Sequence, residues 1–542
     1  MFPNFFDLMN QSLAAMNKSQ QAAFDAWTRT LELTSRMAAG SWGPPAPEQA
    51  RSEGDARFAD AGWEENPAAS FAKQSYLIFS RWMEDTANAL DTLDPKTHAQ
   101  VKFWTKQMTD ALSPSNNPFI NPEVLRATQE TGGENLRQGM ENFIKDLAAG
   151  RVTQVPDNAF VVGRDLACTP GKVVHRSPLM EIMQYSPATE TVYAIPVLMV
   201  PPWINKYYVM DMAPDNSLYK YLVDNGFTVF TISWKNPDDS ILDLEWEDYV
   251  RQGPLEALQV VRAITGAEKV NLVGYCVGGI VSQVALGWLA AKGQADTVNT
   301  ATFFTTHQDY TCAGEVSVFI DENWLKYLDG LMGMSGGYLD GRNMGATFNL
   351  LRANDLLWRY VVSNYLLGKQ PPAFALLYWN NDGTRVPGKV HSFLLRELFL
   401  HNKLQTGELE ILGARIDLGK VKTQTYAVAA ASDHIVPWQG AFKIRELMGG
   451  PVRFVLTEGG HIAGVVNPPH PKKKRAHWVN DDAKTADPEE WLAGAAKIVE
   501  SWWTDWVPWL AERSGEMTAP PATGSEQYPP LMDAPGQYVL EK

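Results

Sequence analysis

Gly274-Tyr275-Cys276-Val277-Gly278-Gly279 lies between an apolar, β-branched run, Lys269 to Val273, and a stretch of helical composition, Ile280 to Leu286. A buried strand that turns at once into a helix tolerates only glycine two positions either side of the turning residue, because a side chain there would meet the strand or the helix. The segment therefore constrains the chain to a strand–elbow–helix unit, with a cysteine where the elbow is exposed. A lone G-x-C-x-G also fits plain packing, so a catalytic reading needs an acid and a histidine further along, in that order.

Both are present. Thr423 to Ala430 reads as a buried strand, with Asp433 just past its end. Val452 to Leu456 reads as a last strand, followed by Gly459-Gly460-His461. The order Cys276, Asp433, His461 is that of the nucleophile, acid and histidine in α/β-hydrolases. The first interval leaves room for a large insertion, and the second suits one helix and one strand. Each residue follows a strand, at the edge where such sheets bind ligands. Each also has a bland reading: a cysteine in an apolar strand is a small core hydrophobe, an Asp after a strand is a cap, and a His among glycines is a loop residue. Cys168 and Cys312 are assigned that core role. For Cys276, Asp433 and His461 the shared order and context favour catalysis. His434 is the competing base, but it follows Asp433 directly and points elsewhere if Asp433 faces the site.

Composition sets the outer limits. A chain of 542 residues is long for one core, so two domains are expected. Hydrophobic residues at 45% describe a globular protein rather than a disordered one, and a net charge of −15 argues against nucleic acid as a main partner. Three cysteines without C-x-x-C spacing give neither a disulfide framework nor a zinc site. The first residues lack a basic run before their apolar ones, so no secretory signal is read, and no stretch reads as a membrane span. A soluble, cytoplasmic protein is expected.

Along the chain the texture changes. Residues 1 to about 160 read as a mostly helical N-terminal domain, with Phe5, Met9, Leu13 and Met16, then Phe71, Ser75, Ile78 and Trp82, at helical spacing. Gly40 to Pro47 reads as a linker. Strands are expected at Lys172 to Val174, Met183 to Tyr185, Val192 to Val200 and Phe227 to Trp234, alternating later with helices. Residues 161–542 thus read as an α/β-hydrolase-fold core, with a cap inserted at about 310–420 and an extended Pro-rich tail at about 517–542. Two further stretches are candidates for binding. Pro201-Pro202-Trp203-Ile204 follows a strand at the position that supplies an oxyanion-hole amide, which pairs Ile204 with the backbone N–H of Val277; the prolines also fit a simple strand end. Lys472-Lys473-Lys474-Arg475 suits CoA phosphates or an anionic surface, and also a solvated loop.

Taken together, Gly274 to Gly279, Pro201 to Lys206, Asp433 to Trp438 and Gly460 to Pro469 resemble the signatures of polyhydroxyalkanoate synthases. The resemblance continues through Arg57-Phe58-Ala59-Asp60, Ser113 to Asn116, Asn354 to Trp358 and Trp491 to Gly494. The long N-terminal region and the Tyr and Val flanking Cys276 are similar to class I enzymes. The resemblance implies polymerisation of short-chain (R)-3-hydroxyacyl-CoA, 3-hydroxybutyryl-CoA above all, with release of CoA and no cofactor beyond the CoA that the substrate carries. It implies Cys276 as nucleophile with Asp433 and His461, and Asp433 either orients His461 or acts on the 3-hydroxyl. It also implies a homodimer at polyester granules, with granule-associated proteins as further partners. Trp358, Tyr365, Tyr378 and Trp379 of the cap would then exclude water, or form the cap's own core. Two rivals stay open: a thioesterase or polyester depolymerase on the same scaffold, and a non-catalytic granule scaffold.

Overall fold

The computed structural model describes residues 5–38, 54–470 and 475–542. These form two compact units, Met1–Pro156 with Ala346–Ala373, and Asp157–Gly345 with Phe374–Lys542. The linker expected at Gly40 to Pro47 and the lysines of the basic run lie outside the described residues, as do the side chains of Phe5, Met9, Leu13 and Met16.

The first unit is helical: α1 (Phe5–Ala38), α2 (Pro67–Ala89), α3 (Pro95–Ala111), α4 (Pro122–Thr131) and α5 (Glu134–Ala149). Three of these start alike. Asn66, Asp94 and Asn121 each precede a proline, and each side chain accepts two N–H groups of the first turn. Proline at the first helical position loses no bond there, so the Asx-Pro pair fixes where each helix begins. Phe58, Trp63 and Tyr76 make a small aromatic core, and Arg57 donates to the Tyr76 hydroxyl at 3.0 Å. Asp110 is the polar hub: Arg57 lies 3.3 Å away and Asn354 Nδ2 donates to it at 2.8 Å. Asn354 belongs to the segment expected in the cap. Residues 346–373 instead pack in this unit, where Asn135 donates to Leu366 O and Tyr365 OH to Asp146.

The second unit is built on one sheet of eleven strands, numbered along the chain: β1 (Gly171–Arg176), β2 (Met180–Tyr185), β3 (Val197–Val200), β4 (Val229–Trp234), β5 (Val270–Tyr275), β6 (Val298–Phe304), β7 (Gln424–Ala430), β8 (Val452–Thr457), β9 (His477–Val479), β10 (Ala496–Ile498) and β11 (Met532–Asp533). Their order across the sheet is β10-β9-β8-β7-β6-β5-β3-β4-β2-β1-β11. The run from β8 to β4 is parallel and the flanking strands are antiparallel. From β3 the chain first adds β4 on one side, then crosses to add β5 on the other. The carboxyl ends of β3 and β5 thus frame the topological switch point, where open α/β sheets bind ligands.

Two expectations need correcting. Val192 to Val200 is not one strand: Val192–Tyr193 pairs with Met517–Thr518, and only Val197–Val200 joins the central sheet. Pro196 falls at the break, where it has no N–H to give either ladder. Cys312 is exposed and Cys168 half-buried, with its thiol donating to Arg164 O, so neither is a core hydrophobe. The C-terminal residues are anchored to the sheet, since buried Glu181 accepts the N–H groups of Gln537 and Tyr538 at 2.9 and 3.0 Å.

Candidate active site

Strand β5 delivers Cys276 into an elbow with φ +53° and ψ −122°, followed at once by helix α6 (Val277–Ala291). This left-handed conformation is unusual for a residue with a Cβ and is held by its surroundings. A Cβ on Gly274 would sit 2.5 Å from Gly279 Cα, and one on Gly278 would collide with the carbonyls of Val200 and Pro201. The two glycines thus do what the sequence requires of them, and the second brings the start of α6 against the end of β3. The Cys276 N–H is used by Phe304 O at 3.0 Å. The N–H of Val277, at the first position of α6, has no acceptor within its own helix.

Asp433 and His461 follow β7 and β8. The carboxylate is fixed by the N–H groups of Ile435 and Val436, which donate to Oδ1 at 2.9 and 2.8 Å. Its Oδ2 accepts the Nδ1–H of His461 at 2.7 Å, with both side chains buried. It is therefore His461, rather than His434, that takes the Asp433 bond. The other ring nitrogen is left for Cys276, whose side chain is near enough to act on the imidazole. Burial disfavours the charged ring, but Asp433, through its charge and its hydrogen bond, and the neighbouring Cys276 outweigh it and push His461 up to about 10. The arrangement favours the protonated imidazole beside the elbow cysteine.

The loop carrying His461 is pinned from behind. The Trp503 indole donates to Val465 O at 2.9 Å and the Trp502 indole to Gly464 O at 3.0 Å. Arg475, the one described member of the basic run, donates to Ala463 O in the same loop. Tyr275 stacks on the imidazole at 5.6 Å and donates to His461 O at 3.3 Å. Sequence reasoning used Tyr275 only as a mark of subclass; its contact with a histidine 186 positions away leaves no local signal.

The loop after β3 is equally anchored. Trp234 donates to Pro201 O at 2.8 Å, Thr384 N–H to Ile204 O at 3.1 Å, and the Trp379 indole to Lys206 O at 2.6 Å. Buried Lys206 pairs with Asp382 at 3.0 Å. Of the aromatics expected to exclude water, Trp379 is thus a loop anchor and Tyr378 packs edge-on against Phe160. Trp358 and Tyr365 lie in the first unit. Among the described residues no cluster of three or more His, Cys, Asp or Glu side chains is placed to hold a metal.

A parallel-centred sheet with a cysteine elbow and a buried His–Asp pair at the ends of two further parallel strands defines an α/β-hydrolase-fold protein. Comparison with known families agrees: residues 196–468 match the alpha/beta hydrolase fold, and residues 54–222 match the Poly-beta-hydroxybutyrate polymerase (PhaC) N-terminus. The chain is 42% identical over 536 residues to a poly(3-hydroxyalkanoate) polymerase of Methylorubrum extorquens, covering 98% of this chain and 87% of that one. It is also 42% identical to the poly(3-hydroxyalkanoate) polymerase subunit PhaC of Cupriavidus necator, over 90% of this chain and 83% of the relative. The chain belongs to the poly(3-hydroxyalkanoate) polymerase family.

Proposed function

We propose that this chain is an acyltransferase that polymerises short-chain (R)-3-hydroxyacyl-CoA, 3-hydroxybutyryl-CoA above all, through a thioester on Cys276. Family membership supports polyester synthesis from hydroxyacyl-CoA, and the geometry of Cys276 against the His461–Asp433 pair supports the mechanism. The thiolate attacks the substrate thioester, the oxyanion is received by the N–H groups of Val277 and Ile204, and the bond to CoA sulfur breaks. His461 gives its proton to the leaving thiolate. Once acylated, Cys276 no longer carries charge, so one of the interactions that raised the His461 pKa is gone and the neutral ring serves as a base. It takes the proton of the 3-hydroxyl of the next unit, whose oxygen attacks the acyl-Cys276 carbonyl. The ester forms, the thiolate leaves, and His461 is again protonated. Asp433, held by two backbone amides, orients His461 throughout. No cofactor beyond the CoA of the substrate enters these steps.

Around this chemistry we place a cytoplasmic enzyme at polyester granules, working as a homodimer. Among the described residues no helix is long and apolar enough to cross a membrane. The observation that carries the reading is a cysteine in the elbow: its acyl-enzyme is itself a thioester, still reactive enough to pass its acyl group to an alcohol. The test is CoA release from (R)-3-hydroxybutyryl-CoA, with polymer extracted and sized. Long polyester from the native chain and none from Cys276→Ala is the expected result. CoA released with free 3-hydroxy acid alone would make the chain a thioesterase, and polymer from Cys276→Ala would remove the cysteine from the mechanism.

A further inference from the structure

Strand β6 lies between the strand that delivers the nucleophile and the strand that delivers the acid, paired through Phe304 with Tyr275 and Val428. Past its end, Thr305 adopts φ +39° and donates its N–H to Val428 O at 2.7 Å. Thr306 presses on the nucleophile helix so closely that a Cβ on Gly279 would collide with its hydroxyl. The segment Thr306 to Tyr310 is therefore set at the carboxyl edge of the sheet, between Cys276 and Asp433. None of its residues entered the argument from sequence.

Two side chains of this segment stand out. His307 and Tyr310 are 4% and 3% exposed, their rings stack at 5.3 Å, and Phe399 closes edge-on against both. The Ile435 backbone is near enough to favour an N–H on the His307 ring, while His307 Nδ1 and the Tyr310 hydroxyl have no hydrogen-bond partner among the described residues. Tyr310 is near enough to Cys276, and His307 to Asp433 and His461, for those charges to act on them. Burial pushes His307 down to about 4 despite the pull of Asp433, so the ring is neutral at neutral pH. With Nε2 carrying the hydrogen, Nδ1 presents a lone pair.

A buried acceptor and a buried hydroxyl on stacked rings, both unpartnered, each forgo the hydrogen bond that water would supply in the unfolded chain. The group that answers both is another hydroxyl, which donates one hydrogen and accepts another. An ester carbonyl answers only a donor, and an unsubstituted acyl chain answers neither. We propose that His307 and Tyr310 form a specificity subsite for the 3-hydroxyl of the acyl group being loaded onto Cys276, with Nδ1 accepting from that hydroxyl and the Tyr310 hydroxyl donating to it. No proton is transferred in this contact. The inference rests on the polymerase reading of the site.

The test compares the first CoA release from (R)-3-hydroxybutyryl-CoA with that from butyryl-CoA, in the full chain and in Tyr310→Phe and His307→Phe, both of which keep the ring stack. The native chain is expected to favour the hydroxylated thioester at least tenfold in kcat/KM. Each variant should lose most of that ratio by slowing on the hydroxylated substrate while keeping butyryl-CoA within twofold. Because Tyr310→Phe removes an unpartnered oxygen, its thermal midpoint should be no lower than the native one. A ratio preserved in both variants, equal losses on both thioesters, or slowed chain growth with loading unchanged would each overturn the assignment. Absence of polymer from the native chain would strike the polymerase reading instead, and the loading ratio would still report on the subsite.

Discussion

At the scale of single residues, the site turns on which charges surround His461. Its pKa in the folded chain lies above the value of about 6.5 for a free imidazole. A raised value stabilises the fold fully below pH 6.5, and that contribution is lost as pH rises through about 10. Asp433→Asn removes the largest favourable charge, so the thermal midpoint of the native chain should fall more steeply between pH 7 and 10 than that of the variant. Parallel curves would mean that Asp433 does not hold the proton on His461. The same variant should lose about a thousandfold or more in turnover, since the ring loses its orienting partner. The three residues were legible in the sequence because each follows a strand and their order is restrictive. His307, Tyr310 and Tyr275 were not, because they carry no motif, and their place near the site depends on strand order and ring packing that no local pattern encodes.

Among the elements, the elbow depends on close approach between β3 and α6 more than on any side-chain contact. Gly278 is where the two backbones meet, so Gly278→Ala must move the helix start, and with it Cys276 and the Val277 N–H. A displacement of about 1 Å at a reacting group costs on the order of a hundredfold in rate, and overpacking costs about 1–3 kcal/mol in stability. Gly330→Ala, in the helix Glu322–Met334 with open space around its Cα, is the control, and it should leave both turnover and melting unharmed. Equal behaviour of the two variants would show that the elbow does not need its glycine. The parallel strands were legible as continuous apolar runs because both of their faces are covered. The short strands β9, β10 and β11 were not, since two or three residues carry no period, and Pro196 divided a run that read as one strand.

For the molecule as a whole, the family's signatures sort into two kinds. Those around Cys276, Asp433 and His461 lie at the carboxyl edge of the sheet. Arg57 and Asn354 instead converge on Asp110 in the helical unit, where they hold elements together. Because residues 346–373 belong to that unit, a chain cut at residue 150 would leave Leu366 O and Tyr365 without Asn135 and Asp146, so deletion is a poor probe of what the N-terminal helices contact. Point changes are better. Helix α5 exposes Leu136, Met140, Ile144 and Leu147 at spacings of four, four and three, a single apolar face turned to solvent. If the helical unit meets the surface of the polyester, this face is suited to it, because a surface of esters and alkyl groups offers apolar contact and little to pair with charge. Met140→Glu combined with Ile144→Glu places two carboxylates on the face while leaving the buried Asn135, Asn142 and Asp146 untouched. The fraction of enzyme that sediments with purified polyester particles should fall at least tenfold, while CoA release from (R)-3-hydroxybutyryl-CoA before particles form stays within twofold. Undiminished sedimentation would assign the granule contact to another surface, and a matching loss of early CoA release would mean that the face supports the catalytic unit rather than the product.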